Sequence, residues 1–306
     1  MEKEISIAGK KIFYRVYGNG KPVMLVHGFG ETGDVWKNQA GPPQTPPKEG
    51  LKNSFMFIVP DLPGSGQSDL IDDMSIEGMA EVLKHILDKE LSELSESSEV
   101  PPSGGFRGAE LSDLSESSKA PSFGGGLGEV SLIGHSMGGY ITLAFAEKYE
   151  ALLRSFGLLH STAFADSEEK KAVRRKGIAF IREHGAFEFL KTSTPNLFSP
   201  QTKEQSPELV SQFIQSLSNF SAGSLISYYE SMIKRPDRTG VLKHTKLPVL
   251  FIMGEYDNAV PLEDGLKLCQ MPEKAYIHVL HQSGHMGMLE EPGKTSQMLE
   301  EFLSEA

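Results

Sequence analysis

Apolar residues occur along this chain in short unbroken runs, and stretches with apolar positions at helical spacing lie between the runs. Short unbroken runs are typical of strands that are buried on both faces of a parallel sheet. Alternating strands and helices then predict an α/β fold, with a mostly parallel central sheet flanked by helices. The predicted strands are Lys11–Tyr17, Val23–Val26, Phe55–Val59, Val130–Ile133, Val249–Met253 and Ala275–Leu280, and the predicted helices are Ser75–Leu91, Met137–Tyr149, Leu262–Cys269 and Pro292–Leu303.

The strand pattern stops between about Ser161 and His244, where apolar positions follow helical spacing with breaks near Pro195 and Pro236. This stretch holds 7 of the 17 phenylalanines, most of which we expect to form a small core of its own. An all-helical stretch inserted between strands predicts a helical cap over the carboxyl edge of the sheet. We therefore expect a core of residues 1–160 and 245–306, and a cap of residues 161–244.

Two segments depart from the alternation of strands and helices. Residues 40–50 (AGPPQTPPKEG) are rich in proline and predict an extended loop. Residues 90–109 and 110–129 form a tandem repeat in which 12 of 20 positions are identical. The repeat is rich in Ser, Gly and Glu, so it buries too little apolar surface to offset the entropy of ordering it. We expect a solvated, poorly ordered insert whose first half prolongs the preceding helix.

Composition and charge narrow the possible functions. The formal net charge of −11 disfavours duplex nucleic acid as a partner, because binding a duplex requires basic side chains that neutralise phosphates. The single cysteine, Cys269, excludes an intrachain disulfide and any multi-cysteine metal site. The start of the chain lacks the features of a signal peptide, and there is no apolar run of about 18 residues. We expect a cytoplasmic protein with no nucleic-acid or membrane partner, and the sequence leaves its oligomeric state open.

The motif with the clearest chemistry is Gly134-His135-Ser136-Met137-Gly138, between a predicted buried strand and a predicted helix. In this context G-x-S-x-G indicates a nucleophile elbow, a turn so sharp that only glycine fits two residues before and after the serine. The turn exposes the serine hydroxyl above the sheet, at the positive end of the following helix. The sequence therefore predicts Ser136 as a nucleophile.

A serine hydroxyl needs a base, and the base needs an acid that fixes its tautomer. Of the nine histidines, His285 lies in the loop between the last predicted strand and the last helix, where parallel sheets place active sites. Its neighbour His281 is the alternative. Asp257 follows the strand Val249–Met253 and is the predicted acid, whereas Glu255 is expected to stabilise the loop.

An oxyanion formed during acyl transfer also needs backbone N–H donors. We expect one from Met137 at the start of the helix and one from Phe29 in the loop His27-Gly28-Phe29-Gly30. Phe29, Met137 and Met286 are also the candidate residues for lining an apolar substrate pocket. None of this chemistry requires a metal or a cofactor.

These motifs, with Asp61–Ser68 after the strand Phe55–Val59, resemble the α/β-hydrolases of the esterase and lipase type over nearly the whole chain. The resemblance implies the α/β-hydrolase fold with a helical cap after the sixth strand, and a purely structural turn at Asp61–Ser68. The chain order Ser136, Asp257, His285 agrees with it. A serine nucleophile excludes relatives that resemble haloalkane dehalogenases and epoxide hydrolases, which use aspartate. The proline-rich loop and the tandem repeat depart from the usual pattern.

The expected function is carboxylic ester hydrolysis through an acyl-enzyme, on small-molecule esters with short to medium acyl groups. One alternative is a carbon–carbon bond hydrolase or enol-lactonase of aromatic degradation, which would need a basic pocket residue to hold a substrate carboxylate. Another is a ligand-binding protein that has kept the fold without catalysis. The cap arginines that bear on the first alternative are Arg174, Arg175, Arg182, Arg235 and Arg238.

Overall fold

The computed structural model describes residues 1–41, 54–97 and 130–306. Most of the proline-rich loop, and the tandem repeat from residue 98 onward, lie outside the described residues. The repeat begins within a helix that runs on to Ser97, beyond its predicted end at Leu91. The expected prolongation of that helix is therefore confirmed as far as Ser97.

The described residues form one eight-stranded sheet. Its strands are β1 (Glu2–Ile7), β2 (Lys10–Gly18), β3 (Lys21–Val26), β4 (Phe55–Pro60), β5 (Val130–His135), β6 (Leu153–Leu159), β7 (Val249–Gly254) and β8 (Ala275–Leu280). They lie in the order β1-β2-β4-β3-β5-β6-β7-β8. The pairs β1/β2 and β2/β4 are antiparallel, and the remaining pairs are parallel. This is the predicted mostly parallel sheet.

Helices cover both faces of the sheet. The helices from α4 (Glu168–His184) to α9 (Thr239–His244) come between β6 and β7 in the chain, within the range 161–244 predicted as the cap, and we call this range the cap region. Short 3₁₀ turns occur at Gly33–Trp36, Glu150–Leu152 and Thr194–Leu197. The helices are α1 (Lys37–Ala40), α2 (Ile76–Ser97), α3 (Met137–Tyr149), α4 (Glu168–His184), α5 (Ala186–Ser193), α6 (Pro200–Gln205), α7 (Pro207–Ser216), α8 (Ala222–Lys234), α9 (Thr239–His244), α10 (Leu262–Leu268), α11 (Gly287–Glu290) and α12 (Pro292–Glu305).

The alternation of side chains along each central strand divides the apolar residues between two cores. In β3, Met24 and Val26 belong to the core shared with α2 and α3, whereas Val23 and Leu25 belong to the core shared with α1 and α12. All residues of β4, β5 and β7 are buried, as their unbroken apolar runs predict. A third, smaller cluster forms inside the cap, with members such as Leu190.

Two strands were not predicted as separate elements, and each has a physical reason. β1 is a half-exposed edge strand, so it carries no apolar run. In β6 the apolar run is interrupted by Ser155, which is nevertheless buried because its hydroxyl lies 2.8 Å from that of Ser131 in β5. Across the three described ranges of the chain, no helix combines the length and apolar character that a membrane span requires.

Candidate active site

Ser136 lies at the predicted elbow, between the end of β5 and the first residue of α3. Its backbone has φ 51° and ψ −116°, a strained conformation for a non-glycine residue. A Cβ on Gly134 would overlap the carbonyl oxygen of Gly138, and one on Gly138 would overlap that of Val26. The two glycines are therefore required by the space inside the turn, and the turn presents the Ser136 hydroxyl at the carboxyl edge of the sheet.

The structure brings the three predicted catalytic residues together at this edge. His285 Nε2 lies 2.9 Å from Ser136 Oγ, and His285 Nδ1 lies 2.8 Å from Asp257 Oδ2. Since a carboxylate only accepts hydrogen bonds, Nδ1 carries the proton and Nε2 is free to accept the serine proton. Glu255 and His281 lie apart from this series, paired with each other at 2.7 Å on the surface.

The carboxylate of Asp257 has all four of its acceptor positions filled. Oδ1 accepts the backbone N–H groups of Ala259 and Val260, both at 2.8 Å. Oδ2 faces Nδ1 of His285 at 2.8 Å and Nδ1 of His160 at 3.2 Å. A carboxylate with two oxygens offers about four lone-pair positions, so Asp257 has no room for a proton of its own.

Burial and pairing shift the pKa values of the titratable groups of the site in opposite directions. Burial alone would raise the pKa of Asp257, but the charge of His285 and the two imidazole hydrogen bonds hold that pKa far below its usual range. Burial alone would lower the pKa of His285, but Asp257, with Glu31 and Glu290 further away, raises it above the ordinary value of 6.5. For His160, the effect of desolvation is larger than the opposite effect of Asp257, so the pKa of His160 is lowered.

His160 is one of the site residues that the sequence analysis missed. It follows β6 directly, is fully buried and contacts the acid of the predicted series. The available signal was a histidine directly after the apolar pair Leu158 and Leu159. That signal was hidden because Ser155 and Gly157 interrupt the apolar run of β6.

The two predicted oxyanion donors come from the start of α3 and from the loop after β3, where a Cβ on Gly28 would lie 3.0 Å from the Cβ of Ser136. Met137 is the first residue of α3, where backbone N–H groups have no partner within the helix. Phe29 lies in the loop after β3. Among the described residues, neither backbone N–H donates to an acceptor of the protein. Both groups therefore remain the predicted donors for an oxyanion.

A buried pair, Glu31 and His135, links the loops of the site and was also missed by the sequence analysis. Oε2 of Glu31 accepts the N–H of Gly28 at 2.7 Å and lies 3.0 Å from Nδ1 of His135. Nε2 of His135 donates to the carbonyl oxygen of His285 at 2.9 Å. This network fixes the loop of Phe29, the elbow and the loop of His285 relative to one another.

Glu290 in α11 anchors the loop that follows β8 to the cap. Its Oε1 accepts the N–H groups of Gly284 and Met286 at 2.8 and 3.2 Å. Its Oε2 accepts the N–H of Ser199 at 2.8 Å and the hydroxyl of Thr202 at 2.7 Å. One carboxylate thus joins the loop of the base to the start of α6.

An apolar cavity of about 80 Å³ lies between the loop of Phe29 and the cap. The ring of Phe29 stacks on that of Tyr229 in α8, with centroids 4.3 Å apart. Of the three predicted lining residues, Phe29 borders this cavity, whereas Met137 and Met286 are fully buried in the two cores. Further apolar residues around the cavity are Leu190, Leu197, Phe213 and Leu217.

Four of the five cap arginines lie within 4.0 Å of a carboxylate. Arg174 and Arg235 share the buried Asp166, with nitrogen to oxygen distances of 2.5 and 2.9 Å. Arg235 also lies over the ring of Tyr140, 3.8 Å from its centroid. Of the others, Arg238 pairs with Glu77 and Glu147, Arg182 lies 3.7 Å from Glu230, and Arg175 is exposed.

The donor atoms of His160, Asp257 and His285 lie within 4.8 Å of one another, a spacing that a metal site also has. Here, however, both Nδ1 atoms face the same carboxylate oxygen at hydrogen-bonding distance. Protons on the two Nδ1 atoms account for the arrangement, so the group is built as a hydrogen-bonded set.

Comparison with known proteins gives relatives along the whole chain. This chain is 23% identical, over 320 aligned positions, to the 2-hydroxy-6-oxononadienedioate/2-hydroxy-6-oxononatrienedioate hydrolase of Paraburkholderia phymatum. The alignment covers 96% of this chain and 91% of that protein. The match to the hydrolase of the same name from Burkholderia vietnamiensis spans only 63% of that protein. Lipase 1 of Psychrobacter immobilis is 24% identical, with 99% of this chain and 84% of the lipase covered.

Solved structures and a family pattern agree with these relatives. A thermophilic esterase from Thermogutta terrifontis superimposes with a TM-score of 0.79 at 26% identity, covering 100% of this chain and 98% of the esterase. The relatives are named as hydrolases, so hydrolase activity is supported for this chain. The sequence pattern of the alpha/beta hydrolase family matches residues 23–297, and the chain therefore belongs to that family.

Proposed function

We propose that this protein is a serine hydrolase of small carboxylic esters with short to medium acyl groups. The observation that carries the proposal is the continuous hydrogen-bonded series from Ser136 Oγ through His285 to Asp257, with distances of 2.9 and 2.8 Å. A nucleophile, a base within reach of it and an acid that orients the base are the elements that acyl transfer requires.

In the proposed acylation step, Ser136 Oγ attacks the ester carbonyl carbon while Nε2 of His285 takes its proton. The carbonyl oxygen becomes an oxyanion and accepts hydrogen bonds from the N–H groups of Met137 and Phe29. Loss of one such donor costs a rate factor of about 10²–10³ in comparable sites. The imidazolium then gives its proton to the leaving oxygen, which releases the alcohol and leaves the acyl group on Ser136.

In the proposed deacylation step, His285 takes a proton from water, whose oxygen attacks the acyl carbon. A second oxyanion forms against the same two N–H groups and collapses. Ser136 Oγ leaves with the proton that His285 returns, and the carboxylic acid is released. Asp257 stays ionised throughout, because its low pKa and its four hydrogen bonds disfavour proton transfer to it.

The apolar cavity beside Phe29 supports the proposed acyl preference. It measures about 80 Å³, and five of its ten lining residues are leucine or phenylalanine. An aliphatic chain gains about 0.8 kcal/mol per buried CH₂ in such surroundings. A cavity of this size suits a chain of a few carbons better than a long fatty acyl chain.

A second candidate is carbon–carbon bond hydrolysis, which the name of the Paraburkholderia relative favours. A dienedioate substrate would need a cation for its carboxylate groups. The guanidinium groups of Arg174 and Arg235 are engaged by Asp166, so their charge is already partly balanced. A third candidate, binding without catalysis, is less consistent with three catalytic groups at hydrogen-bonding distance. Ester hydrolysis therefore remains the preferred proposal.

The test combines a substituted enzyme with a substrate panel. We expect Ser136→Ala to lower kcat by at least about 10⁴, because among the described residues no other hydroxyl or thiol is hydrogen-bonded to His285. The melting temperature should stay near that of the wild type. Rates should be measured on p-nitrophenyl esters from acetate to palmitate, beside a ring-cleavage dienoate. Preference for the dienoate would favour the second candidate.

A fluorophosphonate should label the wild-type protein stoichiometrically at Ser136. Ser131→Ala is the matched control, because Ser131 lies near the amino end of β5, the strand that leads to Ser136, and its hydroxyl is bonded to that of Ser155. That variant should keep both labelling and activity. Labelling at another serine, or one tenth of the activity retained in Ser136→Ala, would contradict the proposal.

A further inference from the structure

Asp257 holds a second imidazole that the proposed mechanism does not use. Nδ1 of His160 lies 3.2 Å from Asp257 Oδ2, the same oxygen that receives His285. His160 is 1% exposed, and its ring centroid lies 5.7 Å from that of His285. A buried imidazole on the acid of the series is positioned to affect how that acid acts on the base.

The tautomer of His160 is fixed by a contact on its other side. The backbone N–H of Gly287 lies 3.2 Å from His160 Nε2. Because an N–H group only donates, Nε2 must be the unprotonated nitrogen, and in the neutral ring the proton sits on Nδ1. A Cβ on Gly287 would lie 2.5 Å from Nε2, so glycine at this position lets the backbone approach the ring.

The ring of His160 remains neutral in these surroundings. Burial lowers its pKa, and this effect outweighs the attraction of Asp257. The rings of His285 and His135, at 5.7 and 5.9 Å, add repulsion against a charge on His160. His160 is therefore a neutral donor with its N–H directed at the carboxylate.

We propose that His160 is a positioning residue for the base. Its Nδ1–H fills the fourth acceptor site of Asp257, and this hydrogen bond weakens the stabilisation that Asp257 gives to the charged form of His285. This inference rests on the proposed serine-hydrolase function. A carboxylate that shares its charge between two donors stabilises the imidazolium of His285 less strongly than one with a free lone pair. The proton that His285 takes from Ser136 then passes more readily to the leaving group.

Other ionisable groups around the pair come from separate elements and stay unchanged when residue 160 is substituted. Glu31 reaches the site from the loop after β3, His135 from the elbow and Glu290 from α11. Glu31 and Glu290 both favour the charged form of His285. A shift in the apparent pKa of the acid limb that a substitution at position 160 causes therefore reports on the contact between His160 and Asp257.

The backbone of His160 has φ 49°, which determines the choice of test variants. Asparagine tolerates a positive φ, and its side-chain N–H group can take the place of Nδ1–H. Leucine is similar in bulk but donates no hydrogen bond. His160→Asn thus keeps the proposed interaction, and His160→Leu removes it. Should His160→Leu fail to fold, His160→Gly removes the donor with no conflict at positive φ.

The experiment measures kcat/KM for a p-nitrophenyl ester and the rate of fluorophosphonate labelling, each as a function of pH. In His160→Leu we expect the apparent pKa of the acid limb to rise by about half to one unit, and kcat to fall about tenfold with KM within about twofold. In His160→Asn both should stay near the wild type. A purely structural role would lower stability without moving the limb.

Labelling separates failure of this inference from failure of the proposed function. If the wild type is labelled at Ser136 and the limb lies at the same pH in all variants, the role of His160 is refuted and the serine mechanism stands. Equal losses in the Asn and Leu variants would also refute it. If the wild type is not labelled, both proposals fail together.

Discussion

The two faces of the sheet and its carboxyl edge both hold deeply buried side chains, but those on the faces are apolar and those at the edge are ionisable. On the faces, apolar side chains such as Phe302 and Leu132 are fully buried and need only volume and shape. At the edge, ionisable side chains are buried just as deeply, and each needs a partner. The exposures of these ionisable residues are Glu31 2%, His135 0%, His160 1%, Asp257 6% and His285 3%.

This difference decides what a substitution in each region does. Removing an apolar side chain from a face leaves a cavity, so the main loss is in the free energy of unfolding. Removing one partner at the edge leaves a buried group unpaired and changes the protonation of its neighbours. We expect face substitutions to change stability and edge substitutions to change chemistry.

The largest effect that tests this comparison is expected from Asp257→Asn. The amide cannot hold the Nδ1–H tautomer of His285, so kcat should fall by about 10⁴. Steady-state kinetics on a p-nitrophenyl ester measure this loss. The matched control is Glu255→Gln, because Glu255 lies two residues away and its carboxylate pairs with the exposed His281. A larger loss in the control would show that Glu255 is the acid.

The corresponding test on a face is Phe302→Ala. Phe302 is fully buried in α12, against the ring of Tyr276, and alanine preserves the helix. We expect the free energy of unfolding to fall by about 3–5 kcal/mol, with kcat/KM near the wild type below the transition. Denaturant unfolding and kinetics at low temperature check both values. Phe302→Leu should cost less than about 1.5 kcal/mol. A strong loss of kcat/KM in the folded variant would contradict the expectation that face substitutions change stability and leave the chemistry intact.

The pH dependence sharpens the comparison on the chemical side. Asp257, Glu31 and Glu290 raise the pKa of His285 above 6.5 against the effect of burial, and His285 must be neutral to act as a base. Activity should therefore rise with pH through an apparent pKa above 6.5, and the charged form at lower pH should be inactive. Measuring kcat/KM from about pH 5 to 9 tests this. His281→Gln, on the surface, should leave the limb in place, and a flat profile would argue against His285 as the base.

The smallest effect is expected from shortening the tandem repeat. The repeat connects α2 to Val130 at the amino end of β5, whereas Ser136 follows the carboxyl end. Replacing residues 96–126 with a four-residue turn should keep kcat/KM within about twofold and should not lower the melting temperature, because a shorter connection closes at a lower entropy cost.

Light scattering on the shortened protein provides the control for self-association. An unchanged mass with unchanged kinetics is the expected outcome. A large loss of activity, or a change of mass, would mean that the repeat has a role in catalysis or assembly.

Much of the sheet and the elbow could be predicted because their signals are local. The buried strands β3, β4, β5 and β7 carry apolar runs, and α3 begins and ends at its predicted residues. The glycines around Ser136 encode the turn directly, since no other residue fits there. His285 and Asp257 were predicted from their loops, and their catalytic roles stay predictions that the variants above test.

The missed features depend on contacts between distant parts of the chain. Ser155 hides β6 in the sequence because its hydroxyl finds a partner only in β5. Glu31 and His135 are separated by 104 residues, and no local motif around either residue predicts its contact with the other. His160 becomes part of the site only because β6 lies beside β7 and brings it to Asp257.

The sequence by itself determined the alternation of strands and helices, the strained serine turn and the residue types that acyl transfer needs. These follow from periodicity and backbone sterics, which act over a few residues. Only the tertiary structure decided which buried ionisable groups share a partner, and therefore which of them are charged. Protonation inside a protein depends on desolvation and on neighbours within a few ångströms, and those neighbours come together only when the sheet is assembled.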